Sequence, residues 1–286
     1  MSNVAVLLPA YNEEVAIASM ILLSSKYADE VIVIDDGSSD RTSDISKLAG
    51  ATVLRHETNE GKGAALKTGF MYAKDFDIIV TIDADGQHNP AEIPDVIKPI
   101  EDDVADIVNG SRYINGTDKN TPKYRRVGQT VLDTATNIAS GVKLTDTQSG
   151  FRAFSSDSVK YFNFDPDGFG IESDMLIEAS NNNLRITEVE ITVRYDVETS
   201  TDNPVVQGLS VLMRILEIMR FNRPLYFYGI SGSIILFFGI LILLTIRNTI
   251  YGGNIYLMAI GIFVMIMGII LFLSGIFTDT MTRFKK

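Results

Sequence analysis

The chain has 286 residues, a formal net charge of −11, 46% hydrophobic residues, no cysteine, no tryptophan and two histidines. Such a length suits one large domain or two smaller ones, with ample apolar material for a core. Disulfides and thiolate metal sites are excluded, His56 and His88 alone do not make a zinc cluster, and the acidic balance argues against nucleic acid as a partner.

In chain order, "VAVLLPA" (4–10), "EVIVIDD" (30–36), "ATVLRH" (51–56), "DIIVTID" (77–83) and "ADIVNGS" (105–111) predict strands with both faces buried. Between them, "EEVAIASMILLSS" (13–25), "DRTSDISKLA" (40–49), "GKGAALKTGFMYA" (61–73) and "AEIPDVIKPIED" (91–102) predict helices. Alternation of this kind implies right-handed crossovers and an α/β fold with a mainly parallel sheet. A further helix is expected over "YRRVGQTVLDTATNIAS" (124–140). From Asn203 and Pro204 onward, Val205, Leu209, Leu212, Leu216 and Met219 recur at helical spacing, with Arg214, Glu217 and Arg220 on another face. That pattern predicts an amphipathic helix lying on a bilayer, with packing against the preceding domain as its alternative.

Residues 224–246 and 248–278 carry no ionisable side chain other than tyrosine. Each stretch exceeds the ~20 apolar residues that cross a bilayer core, so a transmembrane hairpin is expected over about 225–246 and 254–278. Arg214, Arg220 and Arg223 precede the first span and Arg283, Lys285 and Lys286 follow the second, whereas the connection offers only Arg247. The positive-inside bias then puts both termini, and with them the large N-terminal part, in the cytoplasm. The start of the chain has no basic n-region, and the apolar run at 4–8 is too short for a signal peptide. The expected organisation is a domain over 1–202, an interface helix over 203–224 and a hairpin with a basic tail over 225–286.

In parallel sheets, ligands bind beyond the carboxyl ends of the strands, and three such ends are polar here. The first carries Pro9, Ala10, Tyr11, Asn12, Glu13 and Glu14; the second Asp35, Asp36, Ser38, Ser39 and Asp40; the fourth "DADGQH" (83–88). Helix capping is an alternative for Asn12, Ser39 and Asp40, which stand just before helices. It does not explain Asp83, which leads into a loop. Asp83 and Asp85 repel each other at the mouth of a buried strand, so a cation or solvent must offset them. "NEGKGAALKTG" falls short of a Walker phosphate loop, which needs glycine at His56 and Ser or Thr at Gly63. Lys62 still stands at a helix start, where an anionic ligand is favoured.

"LLPAYNEE", "IDDGSSD", "DADGQH" and "SGFRAF", in this order, resemble the inverting family 2 glycosyltransferases of GT-A fold. More narrowly they resemble the polyprenyl-phosphate sugar synthases, the group of the dolichyl-phosphate mannose synthases. The resemblance spans residues 3–224. It implies a divalent metal, magnesium or manganese, at Asp83, Asp85 and Gln87, gripping the diphosphate of a nucleotide sugar. It further implies donor contacts from Pro9, Ala10, Tyr11, Glu13, Asp36, Lys62, Asp83, Ala84 and Asp85. Asp35 is the alternative to Asp36, and a core position the alternative for Tyr11. Arg112, Arg126 and Thr130 correspond to residues that hold the lipid phosphate, with Asp85, Arg112 and Arg126 carrying catalysis. Arg125 neighbours that pair, with a solvated basic face as its alternative. The individual roles of Asp146 and Arg152 in "TDTQSGFRAF" (145–154) stay undivided.

The expected function is therefore transfer of one sugar, from GDP-mannose, UDP-glucose or UDP-N-acetylglucosamine, to dolichyl or polyprenyl phosphate at the cytoplasmic membrane face. The lipid bilayer is a partner, and a homo-oligomer is compatible with the sequence. Three other readings compete, one of them a nucleotidyltransferase, which can share the fold but would form a nucleotide sugar rather than consume one. A processive polysaccharide synthase typically carries a Gln-x-x-Arg-Trp motif, and this chain has no tryptophan. A nonenzymatic lipid-binding scaffold would leave the acidic pair idle.

Overall fold

The computed structural model describes residues 2–114, 123–162, 170–194, 204–248 and 255–284. They form two units, Met1–Arg214 and Ile215–Lys286.

The first unit is built on a seven-stranded sheet of order β3-β2-β1-β4-β6-β5-β7. Its strands are β1 (Val4–Ala10), β2 (Glu30–Asp35), β3 (Thr52–Arg55), β4 (Ile78–Thr81), β5 (Ile107–Ser111), β6 (Arg152–Ser155) and β7 (Ile186–Glu190). The helices α1 (Ile17–Ser24), α2 (Thr42–Leu48), α3 (Lys62–Tyr72), α4 (Ile93–Glu101), α5 (Lys123–Ser140), α6 (Ser156–Val159) and α7 (Ile171–Asn181) connect or flank them. All pairings are parallel except those of β6, which runs antiparallel to both β4 and β5.

The continuous apolar run of β1 follows from burial on both faces. Val4, Val6, Leu8 and Ala10 join one core with α1 and α4, while Ala5 and Leu7 join the other with α3 and α7. Each fully buried aliphatic side chain contributes about 1.5–3 kcal/mol relative to exposure. Burial on both faces holds for β1, β2, β4 and β5 but not for β3, an edge strand whose residues are half-buried or exposed. The expected helix at 13–25 begins only at Ile17, because residues 13–16 form a turn committed to the neighbouring loop.

β6, α7 and β7 were not anticipated. β6 is short, and the polar Arg152 opens it, so it carries no clean periodicity. Arg152 is nevertheless wholly buried: Nη1 donates to the Glu172 carbonyl (2.7 Å) and Nη2 to the Thr147 carbonyl (2.8 Å). It ties the 145–150 loop to the first turn of α7. Burial lowers its pKa to about 10, so the charge is retained at neutral pH.

The described part of α8 (Pro204–Asn222) crosses the division between the units. Its buried positions are Val211, Ile215 and Met219, whereas Leu209 is exposed. Of the apolar stripe expected to face a bilayer, Met219 is buried and Leu209 exposed. Asn203, and the side chains of Val205, Arg125, Arg214, Arg247 and Arg283, lie outside the described residues, as do Lys285 and Lys286.

In the second unit α9 (Pro224–Asn248) and α10 (Ile255–Phe284) pack as a pair. Gly232 and Gly268 let the two backbones meet: a Cβ on Gly232 would stand 2.7 Å from the Gly268 carbonyl oxygen and 2.6 Å from the Phe272 nitrogen. Apolar stretches cover Pro224–Thr245 (22 residues) and Ile255–Met281 (27 residues), the second carrying a charge only at Asp279 near its end. At ~1.5 Å per residue the shorter reaches ~33 Å, enough for a ~30 Å hydrocarbon core. Phe237, Phe263 and Leu273 point outward, as a lipid-facing surface requires. The pair is a candidate membrane hairpin.

Candidate functional site

The sheet fixes where the site lies. From β1 the chain moves to β2 on one side and later to β4 on the other, so a crevice opens beyond the carboxyl ends of β1 and β4. Glu13, Asp83 and Asp85 flank it.

Asp40 caps α2, its Oδ1 accepting from the Thr42 amide (2.9 Å), whereas Asn12 and Ser39 bond across to each other's loops. Asn12, at φ 57°, accepts through Oδ1 from the Ser39 amide (2.9 Å), and its own amide donates to Ser38 Oγ (2.9 Å). Asp40 Oδ2 accepts from the Glu14 amide (3.1 Å) and Glu14 Oε2 from the Arg41 amide (2.9 Å). These bonds staple the β1–α1 loop to the β2–α2 loop. Pro9 lines a small pocket with Lys62, Gly150, Arg152 and Glu172, while Ala10 and Ala84 are buried in the core. Tyr11 is 44% exposed, so the core alternative does not apply to it.

Asp36 rather than Asp35 holds the next loop. Its carboxylate accepts from the Glu60 amide (3.0 Å), the Gly61 amide (2.8 Å) and meets His56 Nδ1 (2.8 Å), fixing the segment that ends at Lys62. Asp35 accepts from the Ser38 amide and faces Arg55 at 3.4 Å.

Lys62 opens α3 and reaches across the crevice, with Nζ 2.5 Å from Asp83 Oδ1 and 2.7 Å from Glu172 Oε1. Burial works against its charge, but the two carboxylates outweigh that and raise its pKa. Burial likewise pushes Asp83 up, and Lys62 reverses this to leave it below its ordinary value. His88 Nε2 lies 3.9 Å from Asp83 Oδ2, yet burial lowers its pKa to about 4 and keeps the ring neutral at pH 7. Behind Asp83, Gly150 has no alternative residue: a Cβ there would overlap the carboxylate. The Thr81 hydroxyl donates to the Gly150 carbonyl (3.0 Å) and holds that approach.

Asp85 and Glu13 differ from Asp83. Among the described residues neither has an ion-pair partner. Asp85 Oδ1 accepts from the Gln87 amide (3.0 Å), while the Gln87 carbonyl accepts from the Arg194 amide (2.9 Å). Burial, then the nearby Asp83 charge, raises Asp85 to about 6; burial, then Asp85 and Asp83, raises Glu13 to about 7. Negative charge is therefore in excess here. No group of three His, Cys, Asp or Glu among the described residues forms a closed metal cage. The two carboxylates, Asp83 and Asp85, are oxygen donors of the kind magnesium and manganese take, whereas the contacts of Gln87 are those of its backbone.

A second cluster gathers at the end of β5. Arg112 makes a two-pronged pair with Asp146, Nε to Oδ2 at 2.6 Å and Nη2 to Oδ1 at 2.7 Å, and Asp146 is wholly buried. The Arg126 guanidinium stacks 3.6 Å above the Tyr113 ring, with that of Arg112 5.2 Å from the same ring. The Tyr113 hydroxyl bonds to Gln129 one helical turn along α5. Asp133 stands 3.8 Å from Arg126 and accepts from both the amide and hydroxyl of Thr147 (2.8 Å each). Burial raises the Asp133 pKa to about 6. Thr130, on the exposed side of α5, donates its hydroxyl to the Arg126 carbonyl (2.8 Å).

The structure thus brings Glu13, Lys62, Asp83 and Asp85 to one crevice and Arg112 and Arg126 to one tyrosine. Glu172, Tyr113 and Asp133 were not anticipated. Glu172 sits in "GFGIESDML" beyond any element read from the sequence. Tyr113 is adjacent to Arg112, but nothing in its spacing reveals a ring shared by two arginines.

Residues 5–162 match the family model described as Glycosyl transferase family 2. The UDP-N-acetylglucosamine–dolichyl-phosphate N-acetylglucosaminyltransferase of Methanococcus voltae is 36% identical over 234 residues, covering 73% of this chain and 93% of that protein. The undecaprenyl-phosphate mannosyltransferase of Micrococcus luteus is 32% identical over 248 residues, covering 81% and 99%. Among solved structures, glucosyl-3-phosphoglycerate synthase from Mycobacterium tuberculosis, crystallised with Mn2+ and UDP-glucose, superposes with a TM-score of 0.60 at 27% identity, covering 76% of this chain and 79% of that one. The same enzyme has been crystallised with Mg2+ and UDP. With a sheet of this order, carboxylates at its switch point and these matches, the chain belongs to glycosyl transferase family 2 and is a glycosyltransferase of GT-A-like fold.

Proposed function

We propose that this glycosyltransferase moves a single sugar from a nucleotide sugar to the phosphate of a dolichyl or polyprenyl carrier at the cytoplasmic face of a membrane, inverting the anomeric carbon. The observation that carries the reading is the pairing, within one unit, of an anion-deterring carboxylate crevice with two arginines stacked on Tyr113. The lipid acceptor is supported by the relatives in Methanococcus voltae and Micrococcus luteus and by the candidate hairpin.

Asp83, Asp85 and Gln87 would hold a divalent cation, which supplies charge neutralisation for the departing nucleoside diphosphate. Pro9, Ala10, Tyr11, Glu13 and Asp36 would border the nucleoside, and the backbone at Ala84 its diphosphate. Lys62 would face the diphosphate. Arg126, whose side chain is 42% exposed, and Arg112, through the part of its guanidinium not given to Asp146, would hold the acceptor phosphate, with Thr130 beside them.

A phosphate monoester, with a second pKa of about 6, is largely dianionic at neutral pH. One of its oxygens attacks the anomeric carbon as the bond from that carbon to the diphosphate oxygen breaks. The nucleophile brings no proton that must be removed, so orientation and leaving-group neutralisation do the catalytic work. α8, with its apolar and basic faces, would lie at the headgroup level and keep the crevice near the carrier phosphate.

The test is to incubate membranes containing the full chain with polyprenyl phosphate and radiolabelled GDP-mannose, UDP-glucose or UDP-N-acetylglucosamine, with Mn2+ or Mg2+. A lipid carrying one sugar, absent with EDTA and in Asp85→Ala, is expected from one donor. Label in a growing polysaccharide would replace this reading by processive synthesis.

A further inference from the structure

Lys62 and a divalent cation call on the same oxygen. Lys62 Nζ is 2.5 Å from Asp83 Oδ1, and Asp83 is one of the two carboxylates proposed to hold the metal. The lysine is not simply locked there. Its side chain and that of Asp83 are about one-third exposed, at 36% and 32%, whereas its second partner Glu172 is 15% exposed. Behind the lysine, the Asp36 bonds to the Glu60 and Gly61 amides fix where the side chain starts. The ammonium thus hangs from a fixed root between a carboxylate needed elsewhere and one that belongs to α7.

We infer that Lys62 is an exchangeable counter-ion, neutralising Asp83 before the donor arrives and passing to the donor diphosphate when a divalent cation takes Asp83, with Glu172 as the positioning residue that keeps Lys62 in the crevice throughout. This rests on the metal reading of Asp83 and Asp85. Its consequence is a binding order built from charge. A cation alone must displace Lys62 into a position where only Glu172 receives it, whereas a cation arriving with a nucleoside diphosphate gives Lys62 a new anion. Metal and nucleotide therefore strengthen each other's binding, and by linkage the enhancement is the same in both directions.

The experiment measures Mn2+ binding by the full-length detergent-solubilised protein, reading free Mn2+ by electron paramagnetic resonance, alone and with UDP or GDP. In the wild type, the nucleotide that fits the site should tighten Mn2+ by about tenfold or more, within the usual range for coupled sites. In Lys62→Met, Mn2+ alone should bind more tightly than in the wild type and the nucleotide-linked gain should largely vanish. In Glu172→Gln, Lys62 is left with Asp83 alone, so Mn2+ alone should bind more weakly while the gain persists. A Lys62→Met protein that binds Mn2+ more tightly by the same factor with and without nucleotide would reveal only a general field effect and overturn the exchange. Unchanged Mn2+ affinity in Lys62→Met, or a lost gain in Glu172→Gln, would overturn it as well. A wild type that binds no Mn2+ in either state would instead remove the metal reading beneath it. Because the Glu172 variant retains the lysine, the test survives if Lys62→Met does not fold.

Discussion

The carboxylate crevice beyond β1 and β4 and the arginine cluster beyond β5 solve opposite electrostatic problems. In the crevice Asp83 has Lys62, but Asp85 and Glu13 have no cation of their own among the described residues, and their pKa values rise to about 6 and about 7. In the cluster each arginine already faces a carboxylate, Arg112 a wholly buried Asp146 at 2.6 Å and Arg126 Asp133 at 3.8 Å. The first region is poised to gain a cation, and the second is assembled before any ligand arrives. A shared aromatic ring adds to that assembly, because a guanidinium over Tyr113 gains about 0.5–2 kcal/mol from the ring face.

The comparison is most exposed to Asp85→Ala. Transfer activity should fall by about 10³-fold or more, since charge neutralisation by a bound metal is worth several kcal/mol. The melting temperature should hold or rise, because removing one of several repelling carboxylates relieves the folded state. A large loss of stability would break the contrast, as it would mean that Asp85 is structurally paired.

Asp146→Ala should behave in the reverse way. It strands Arg112 at a largely buried position and should cost about 3–5 kcal/mol of stability, read from denaturant unfolding of the solubilised protein. The acceptor KM should rise with it. If stability were untouched, Arg112 would not be pre-assembled by Asp146.

Gly150→Ala sharpens the boundary between the regions. The added methyl overlaps the Asp83 carboxylate, so that side chain must rotate or the 145–150 loop must shift, at about 1–3 kcal/mol. Mn2+ binding should weaken along with transfer, while the acceptor KM should change little.

The smallest effect concerns pH. Asp133, whose carboxyl is raised by burial to about 6, stabilises the fold most below its unfolded pKa near 3.8 and loses that contribution as pH rises through about 6. Asp133→Asn should therefore show a flatter dependence of unfolding free energy on pH between about 4 and 6 than the wild type. Identical slopes would place the proton elsewhere in the cluster.

Much of the first half was legible in the chain. The five expected strands exist at nearly the expected bounds, four of them because apolar runs buried on both faces are a local signal that tertiary contacts reinforce, with β3 an apolar run at the sheet edge. Beyond residue 140 legibility declined: β6 pairs antiparallel within a parallel sheet and is opened by an arginine, a choice that no periodicity announces. In α8, Leu209 and Val211 are both apolar, and only the surrounding chain decides that Val211 is buried and Leu209 exposed.

By itself the sequence determined the residue types that carry the chemistry, the alternation that makes an α/β sheet and the two uncharged stretches of membrane length, since all of these are properties of local order and composition. Only the tertiary structure decided which charges meet. Lys62 and Glu172 are 110 positions apart along the chain, yet both stand at the crevice edge, 2.7 Å from each other. Arg152 lies in the "SGFRAF" stretch, and its burial against two backbone carbonyls makes it a structural tie. Pairings of this kind depend on strand order and helix placement, which fix distance in space independently of distance in sequence.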